Sequence, residues 1–131
     1  MNQYRVRTLM RTDIATLSPE TPIRRAAAVL VDGKTPAAPV LGDDGELIGI
    51  LTQKDCFRSA VHASYHHEWT GKVADHMSRT VITINGGDEL IRAAEMFLDH
   101  PHRVFPVVDD SRVVGLLHRS HVLTLLVRIG G

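Results

Sequence analysis

The sequence matches itself at a single offset, and this duplication restricts the available folds more than any other feature. Leu17-Ser18-Pro19-Glu20-Thr21-Pro22-Ile23 corresponds to Ile84-Asn85-Gly86-Gly87-Asp88-Glu89-Leu90. Arg25-Ala26-Ala27 corresponds to Arg92-Ala93-Ala94, Asp32 to Asp99, Pro39-Val40 to Pro106-Val107, and Met10 to Met77. One residue then drops out of a turn, and Gly49 aligns with Gly115. Order and spacing are both kept, which chance similarity does not do.

Each copy reads as β-α-β-β-α. A short extended piece comes first, Ile14 to Leu17 and Val81 to Ile84, followed by helix-start residues at Ser18–Thr21 and Asn85–Asp88. An amphipathic helix follows, with Ile23, Ala27 and Leu30 on the apolar face of one copy and Leu90, Ala94, Phe97 and Leu98 on that of the other. Two strands come next, Ala37 to Leu41 with Leu47 to Leu51, and Val104 to Val108 with Val113 to Leu117. Asp43-Asp44-Gly45 and Asp109-Asp110-Ser111 supply their hairpin turns. Pro39 and Pro106 fall inside strands, which predicts edge strands or strand starts. A last helix closes each copy, from Gln53 to about Ala63 and from Arg119 to Arg128. Val6–Met10 and Val73–Met77 are short helical lead-ins, and 64–72 is a histidine-rich joint carrying the single Trp69. The expected organisation is a first repeat over 6–63, a linker over 64–72 and a second repeat over 73–128. Half the chain is too short for a good core alone, so the copies are expected to pack about a pseudo-twofold axis.

The 131 residues carry 15 basic and 15 acidic side chains, so no basic field for nucleic acid and no acidic tail is present. The single Cys56 excludes an intramolecular disulfide and a cysteine-cluster metal site and fits a reducing compartment. No apolar run approaches the length of a membrane span. The basic residues of Met1–Arg11 have no apolar stretch behind them, unlike a signal peptide. A soluble cytoplasmic protein is expected.

Chemistry concentrates at Gly49-Ile50-Leu51-Thr52-Gln53-Lys54-Asp55, where a strand runs into a helix. Thr52 stands where an N-cap belongs and Asp55 at the third helical position. Free N–H groups and a hydroxyl at such a junction can meet phosphate, and an ionised carboxylate can accept from a ribose diol. Equally, the two side chains can do no more than cap their own helix.

Two tandem β-α-β-β-α copies, each with a Pro-Val strand and an acidic turn, the first ending in Gly-x-x-Thr-x-x-Asp, resemble a CBS-domain pair, or Bateman module, across Val6 to Arg128. The resemblance implies an α/β (α+β) fold and a regulatory module rather than an enzyme. It implies an adenosine-containing ligand (AMP, ADP, ATP or S-adenosylmethionine, with or without Mg²⁺) in a cleft between the repeats. It also implies a stand-alone protein, a homodimer, and a regulated protein partner. Carried over residue by residue, Thr52 meets the 5′ phosphate and Asp55 the ribose hydroxyls. Ile82 lies near the adenine, Val104 and Phe105 form an apolar wall, and His102 or Arg103 meets phosphate. Arg is the better phosphate partner because its fork binds two oxygens. The second copy departs from the pattern: His118 and His121 stand where Thr52 and Asp55 stand in the first. One ribose site is therefore expected, with the opposing pocket at Ala15, Ala37 and Ala38 empty or otherwise used.

Other constellations compete with this reading. His62 with His66, and His118 with His121, sit one helical turn apart and could hold a metal or sense pH. Solvated surface histidines are the plainer account. Cys56 at a helix start could be an activated thiol or a small buried apolar residue. Trp69 fits a dimer contact or a lid. The competing functions are a structural or protein-interaction pair that binds no nucleotide, and a histidine-based metal or pH sensor. No nucleophile–base pair, carboxylate pair or phosphate-cradling glycine loop suggests an enzyme.

Overall fold

A computed structural model describes residues 3–129. The chain runs α1 (Val6–Leu9), α2 (Ile23–Asp32), β1 (Ala37–Leu41), β2 (Leu47–Thr52), α3 (Gln53–His66), α4 (Val73–His76), β3 (Ile84–Asn85), α5 (Leu90–Asp99), β4 (Val104–Asp109), β5 (Arg112–His118) and α6 (Arg119–Ile129). It divides into two compact units: Ala15–Val81, and the segment up to Ile14 together with Ile82 onward. These units are not the two contiguous repeats of the sequence. Each takes the strands and helices of one repeat and the lead-in segment of the other.

In the Ala15–Val81 unit, β1 and β2 form an antiparallel hairpin with Pro39 opposite Ile50 and Val40 opposite Gly49. Helix α2 buries Ile23, Ala26 and Leu30, spaced by three and four residues, against this hairpin's apolar side. Helix α3 adds Cys56 to the same core, and α4 adds Val73. The lead-in is held by backbone bonds: the Val73 N–H donates to Thr21 O and the Ala74 N–H to Pro19 O, both at 2.9 Å. Ile50 and Ser78 then exchange both N–H···O bonds at 2.9 Å. Gly49 makes this close approach possible, since a Cβ there would lie 2.7 Å from Met77 Sδ and 2.9 Å from Ser78 O. The α3 helix stops at His67, which adopts φ 58° and donates its N–H to Ala63 O at 2.7 Å. Trp69 packs, partly buried, on its own unit's core.

The other unit repeats this plan. Strand β4 lies between β3 (parallel) and β5 (antiparallel), with Pro106 opposite Leu116 and Val107 opposite Gly115. Its core gathers Val6 from the lead-in, Leu90 and Ala93 from α5, Phe105 and Val107 from β4, Leu117 from β5 and Val122 from α6. Arg11 and Leu116 exchange N–H···O bonds at 2.8 and 2.9 Å, as Ser78 and Ile50 do in the first unit. A Cβ on Gly115 would sit 2.5 Å from Arg11 O. The β4–β5 turn places Asp110 at φ 49° and Ser111 at φ 66°, the left-handed pair of a tight two-residue hairpin.

Three expectations change. Ile14–Leu17 is not a strand; only Leu17 bridges β1, in parallel with Val40. Pro106 is not at an edge but in a central strand, tolerated because β3 pairs only with Val107 and Val108. Leu98 is 86% exposed, lying roughly 80° round the helix from Leu90, at the margin of the buried stripe. Among the described residues no helix is long and apolar enough to cross a membrane.

Candidate functional site

Strand β2 ends as a buried run, Gly49 to Leu51, and then turns directly into α3. Thr52 keeps extended backbone angles (φ −106°, ψ 162°) and so serves as the N-cap. The Asp55 N–H donates to Thr52 Oγ1 at 3.1 Å, and the Thr52 N–H donates to Asp55 Oδ2 at 2.9 Å. This reciprocal box locks both side chains at the junction, half-buried. The Gln53 N–H donates to Pro36 O at 2.9 Å, tying the helix start to the residue before β1. One N–H uses one acceptor position of a carboxylate that offers about four. The capping role therefore leaves Asp55 able to accept from a ligand as well.

Cys56, next along the helix, is 5% exposed and belongs to the core. Burial first, and the Asp55 charge second, push its thiol up to about 11, the reverse of an activated nucleophile.

The corresponding junction of the other unit is built from different chemistry. The Arg119 N–H donates to Arg103 O at 2.9 Å, the equivalent of the Gln53–Pro36 bond. In place of the hydroxyl–carboxylate box, the His118 and His121 rings lie 4.8 Å apart. Burial, then His121, then Arg11 hold the His118 imidazole below its usual range. Neither ring supplies a carboxylate for a diol.

The remaining carried-over residues all lie in the unit that contains Ile82 onward. Ile82 packs half-buried against its core, and Val104 is 4% exposed. Phe105 is fully enclosed, stacked on Phe97 with ring centroids 4.3 Å apart, so its side chain has no open surface. His102 lies 5.6 Å from the Phe105 ring and 5.5 Å from the His100 ring, with a buried Nδ1 that has no hydrogen-bond partner. Burial first and His100 second lower its pKa. Arg103 is exposed and, among the described residues, its guanidinium has no ion-pair partner. Of the pair, Arg103 is the group with charge to offer. The His62 and His66 rings do approach, at 4.3 Å, but no cluster of three or more metal-type ligands exists among the described residues. Sequence reasoning passed over Ser59 and His76, whose contact joins helices separated along the chain.

Two duplicated repeats, each a strand hairpin with a helix starting at the end of its second strand, define a tandem-repeat α/β fold. The CBS domain family model matches residues 6–62 and again 73–128, and the chain belongs to the CBS-domain family as a tandem pair. A crystal structure of CBSX2 from Arabidopsis thaliana in complex with AMP is 27% identical, with a TM-score of 0.82 over 98% of this chain and 99% of that one. The CBS domain-containing protein YhcV of Bacillus subtilis is 29% identical over 113 residues, 86% of this chain and 78% of YhcV. The inosine-5′-monophosphate dehydrogenase of Thermoplasma acidophilum is 32% identical over 123 residues, but the matched part is 23% of that enzyme. The chain spans under half the length of both that enzyme and MJ1225 of Methanocaldococcus jannaschii.

Proposed function

We propose that this CBS pair is a regulatory, non-catalytic module that binds an adenosine-containing ligand at the Thr52–Asp55 junction. The observation that carries the reading is the half-buried hydroxyl and carboxylate fixed side by side at the start of α3. The AMP complex of the 27% identical CBSX2 supports the ligand class. Asp55 accepts from the ribose hydroxyls, and Thr52 faces the phosphate side. Arg103, with His102 beside it, is the partner proposed for phosphate; Ile82 and Val104 are proposed to lie against the adenine. The ligand acts by binding one arrangement of the protein more tightly than another, which a regulated protein partner in the cytoplasm then reads.

Calorimetric titration with AMP, ADP, ATP and S-adenosylmethionine, each with and without Mg²⁺, tests the reading. Asp55→Asn is the informative variant, because an amide oxygen can still accept from the Thr52 N–H while the charge is lost. Removing a charge-assisted bond worth about 1.5–3 kcal/mol should weaken binding by roughly tenfold to a hundredfold. Saturable binding that Asp55→Asn leaves unchanged would place the site elsewhere. Arg103→Gln should weaken AMP more than S-adenosylmethionine, which carries no phosphate.

We propose further that the chain forms a homodimer. Phe57, Val61 and Tyr65 recur every fourth residue along α3 and are 69%, 46% and 77% exposed, an apolar stripe that a second copy would cover. Light scattering on Phe57→Glu with Tyr65→Glu should report a monomer; an unchanged dimer would move the interface off this face.

A further inference from the structure

A hollow of about 340 Å³ lies within the Ala15–Val81 unit, lined by Arg58, Ser59 and His62 of α3, by Thr70 and Gly71, and by Asp75 and His76 of α4. Its size is at the small end of ligand pockets. Three observations make it more than a gap between helices. Ser59 is 6% exposed, a buried polar side chain, and its Oγ lies 3.3 Å from His76 Nε2. Gly71 takes φ +97°, and a Cβ there would sit 3.0 Å from His76 Nε2 and 3.2 Å from Asp75 Oδ2. Glycine thus leaves the His76 and Asp75 polar atoms uncovered from that side. Finally, the Arg58 guanidinium has no hydrogen bond or ion pair among the described residues.

We infer that this hollow is a second ligand site, taking a small hydroxylated phosphomonoester. Arg58 supplies the fixed positive charge and the forked donor geometry that phosphate favours. The Ser59 and Thr70 hydroxyls and a His76 ring N–H are the donors for the remaining phosphate oxygens. Asp75 is the one acidic group on the lining, and its Oδ2 accepts the Lys72 N–H at 2.9 Å. A carboxylate beside the phosphate position repels phosphate oxygens and favours a ligand that reaches it with a hydroxyl on carbon, set apart from the charged phosphate, whereas the one hydroxyl of HPO4²⁻ sits on the phosphorus itself. This selects for a polyol phosphate over inorganic phosphate. The site is separate from the Thr52–Asp55 box, although Asp55, Ser59 and His62 follow one another at helical spacing along α3.

NMR titration of the full chain, following the histidine ring resonances, provides the test, with glycerol 3-phosphate, inorganic phosphate, sulfate and acetate as probes. Glycerol 3-phosphate should shift His62 and His76 saturably, and more tightly than inorganic phosphate. Arg58→Gln should weaken that binding by about tenfold or more with no change in melting temperature, since Arg58 is exposed and holds no partner. Asp55→Asn should leave it unchanged, so this result stands or falls apart from the adenosyl reading. Absence of saturable shifts, shifts insensitive to Arg58→Gln, or equal response to acetate would each overturn the assignment. A Ser59→Ala variant that folds but loses only stability, with binding intact, would reduce the Ser59–His76 contact to a tie between helices.

Discussion

The two strand-to-helix junctions share a backbone and differ in almost everything else. Both follow a glycine over which a lead-in segment lies, Gly49 under Met77–Ser78 and Gly115 under Met10–Arg11. Both tie the first helical N–H to a carbonyl just ahead of the preceding hairpin, Pro36 or Arg103. Yet one ends in a hydroxyl–carboxylate box and the other in two imidazoles 4.8 Å apart. Backbone geometry is therefore shared by the two halves where packing requires it, while the side chains at the junctions have diverged. The first junction pairs an acceptor-only carboxylate with a hydroxyl; the second offers two imidazole rings, each with one nitrogen on either side of the ring.

The shared part is where substitution should do most harm. At Gly115 an added methyl meets backbone, Arg11 O at 2.5 Å, with Met10 Sδ at 3.0 Å behind it. At Gly49 the nearest atom, at 2.7 Å, is the movable Met77 Sδ, with Ser78 O at 2.9 Å. Gly115→Ala should cost about 1–3 kcal/mol of stability and Gly49→Ala less, measured by urea unfolding. Equal losses would mean that the lead-in segments shift as freely over one glycine as over the other.

A smaller effect separates the unlike parts. Thr52→Ala removes the side-chain acceptor for the Asp55 N–H and should cost about 1 kcal/mol. His118→Ala removes no such bond among the described residues and should cost less in the same assay. If His118→Ala proved the more damaging, packing around the imidazole would outweigh capping at these junctions.

The scaffold was legible from sequence because periodicity and repetition are local signals. Helices α2, α5 and α6, both hairpins, and the N-cap role of Thr52 with Asp55 at N3 follow from residue order alone. What could not be read is set by contacts distant in sequence. The repeats exchange lead-in segments, Gly49 and Gly115 leaving room for the backbone crossing, and nothing in the local pattern of Val6–Met10 says which strands it will lie over. Phe105 reads as a candidate wall residue, but burial against Phe97 is decided by how α5 packs on β4. Ser59 looks like an ordinary helix residue until α4 brings His76 to it. The opposite fates of Cys56 were both open at a helix start, and core packing rather than the helix end decided between them.

The smallest predicted effect concerns the imidazoles. His118 is lowered by burial, then by His121 and Arg11; His102 is lowered by burial, then by His100. In the unfolded chain both return to the ordinary imidazole value of about 6.5. As pH falls through that value the unfolded state takes up protons before the folded state does. Stability is therefore lost from about pH 6.5 downward, until the lower folded values are passed. Both residues lie in the unit containing Ile82 onward, together with the groups that face them, His100, His121 and Arg11; Arg11 itself is paired with Asp13. Hydrogen exchange corrected for its intrinsic pH dependence should show β4 and β5 losing protection between pH 7.5 and 5.5 while β1 and β2 lose less. His102→Gln with His118→Gln should flatten that slope. An equal slope in both units, or one unaltered in the double variant, would show that the divergence between the junctions carries no difference in their response to protons.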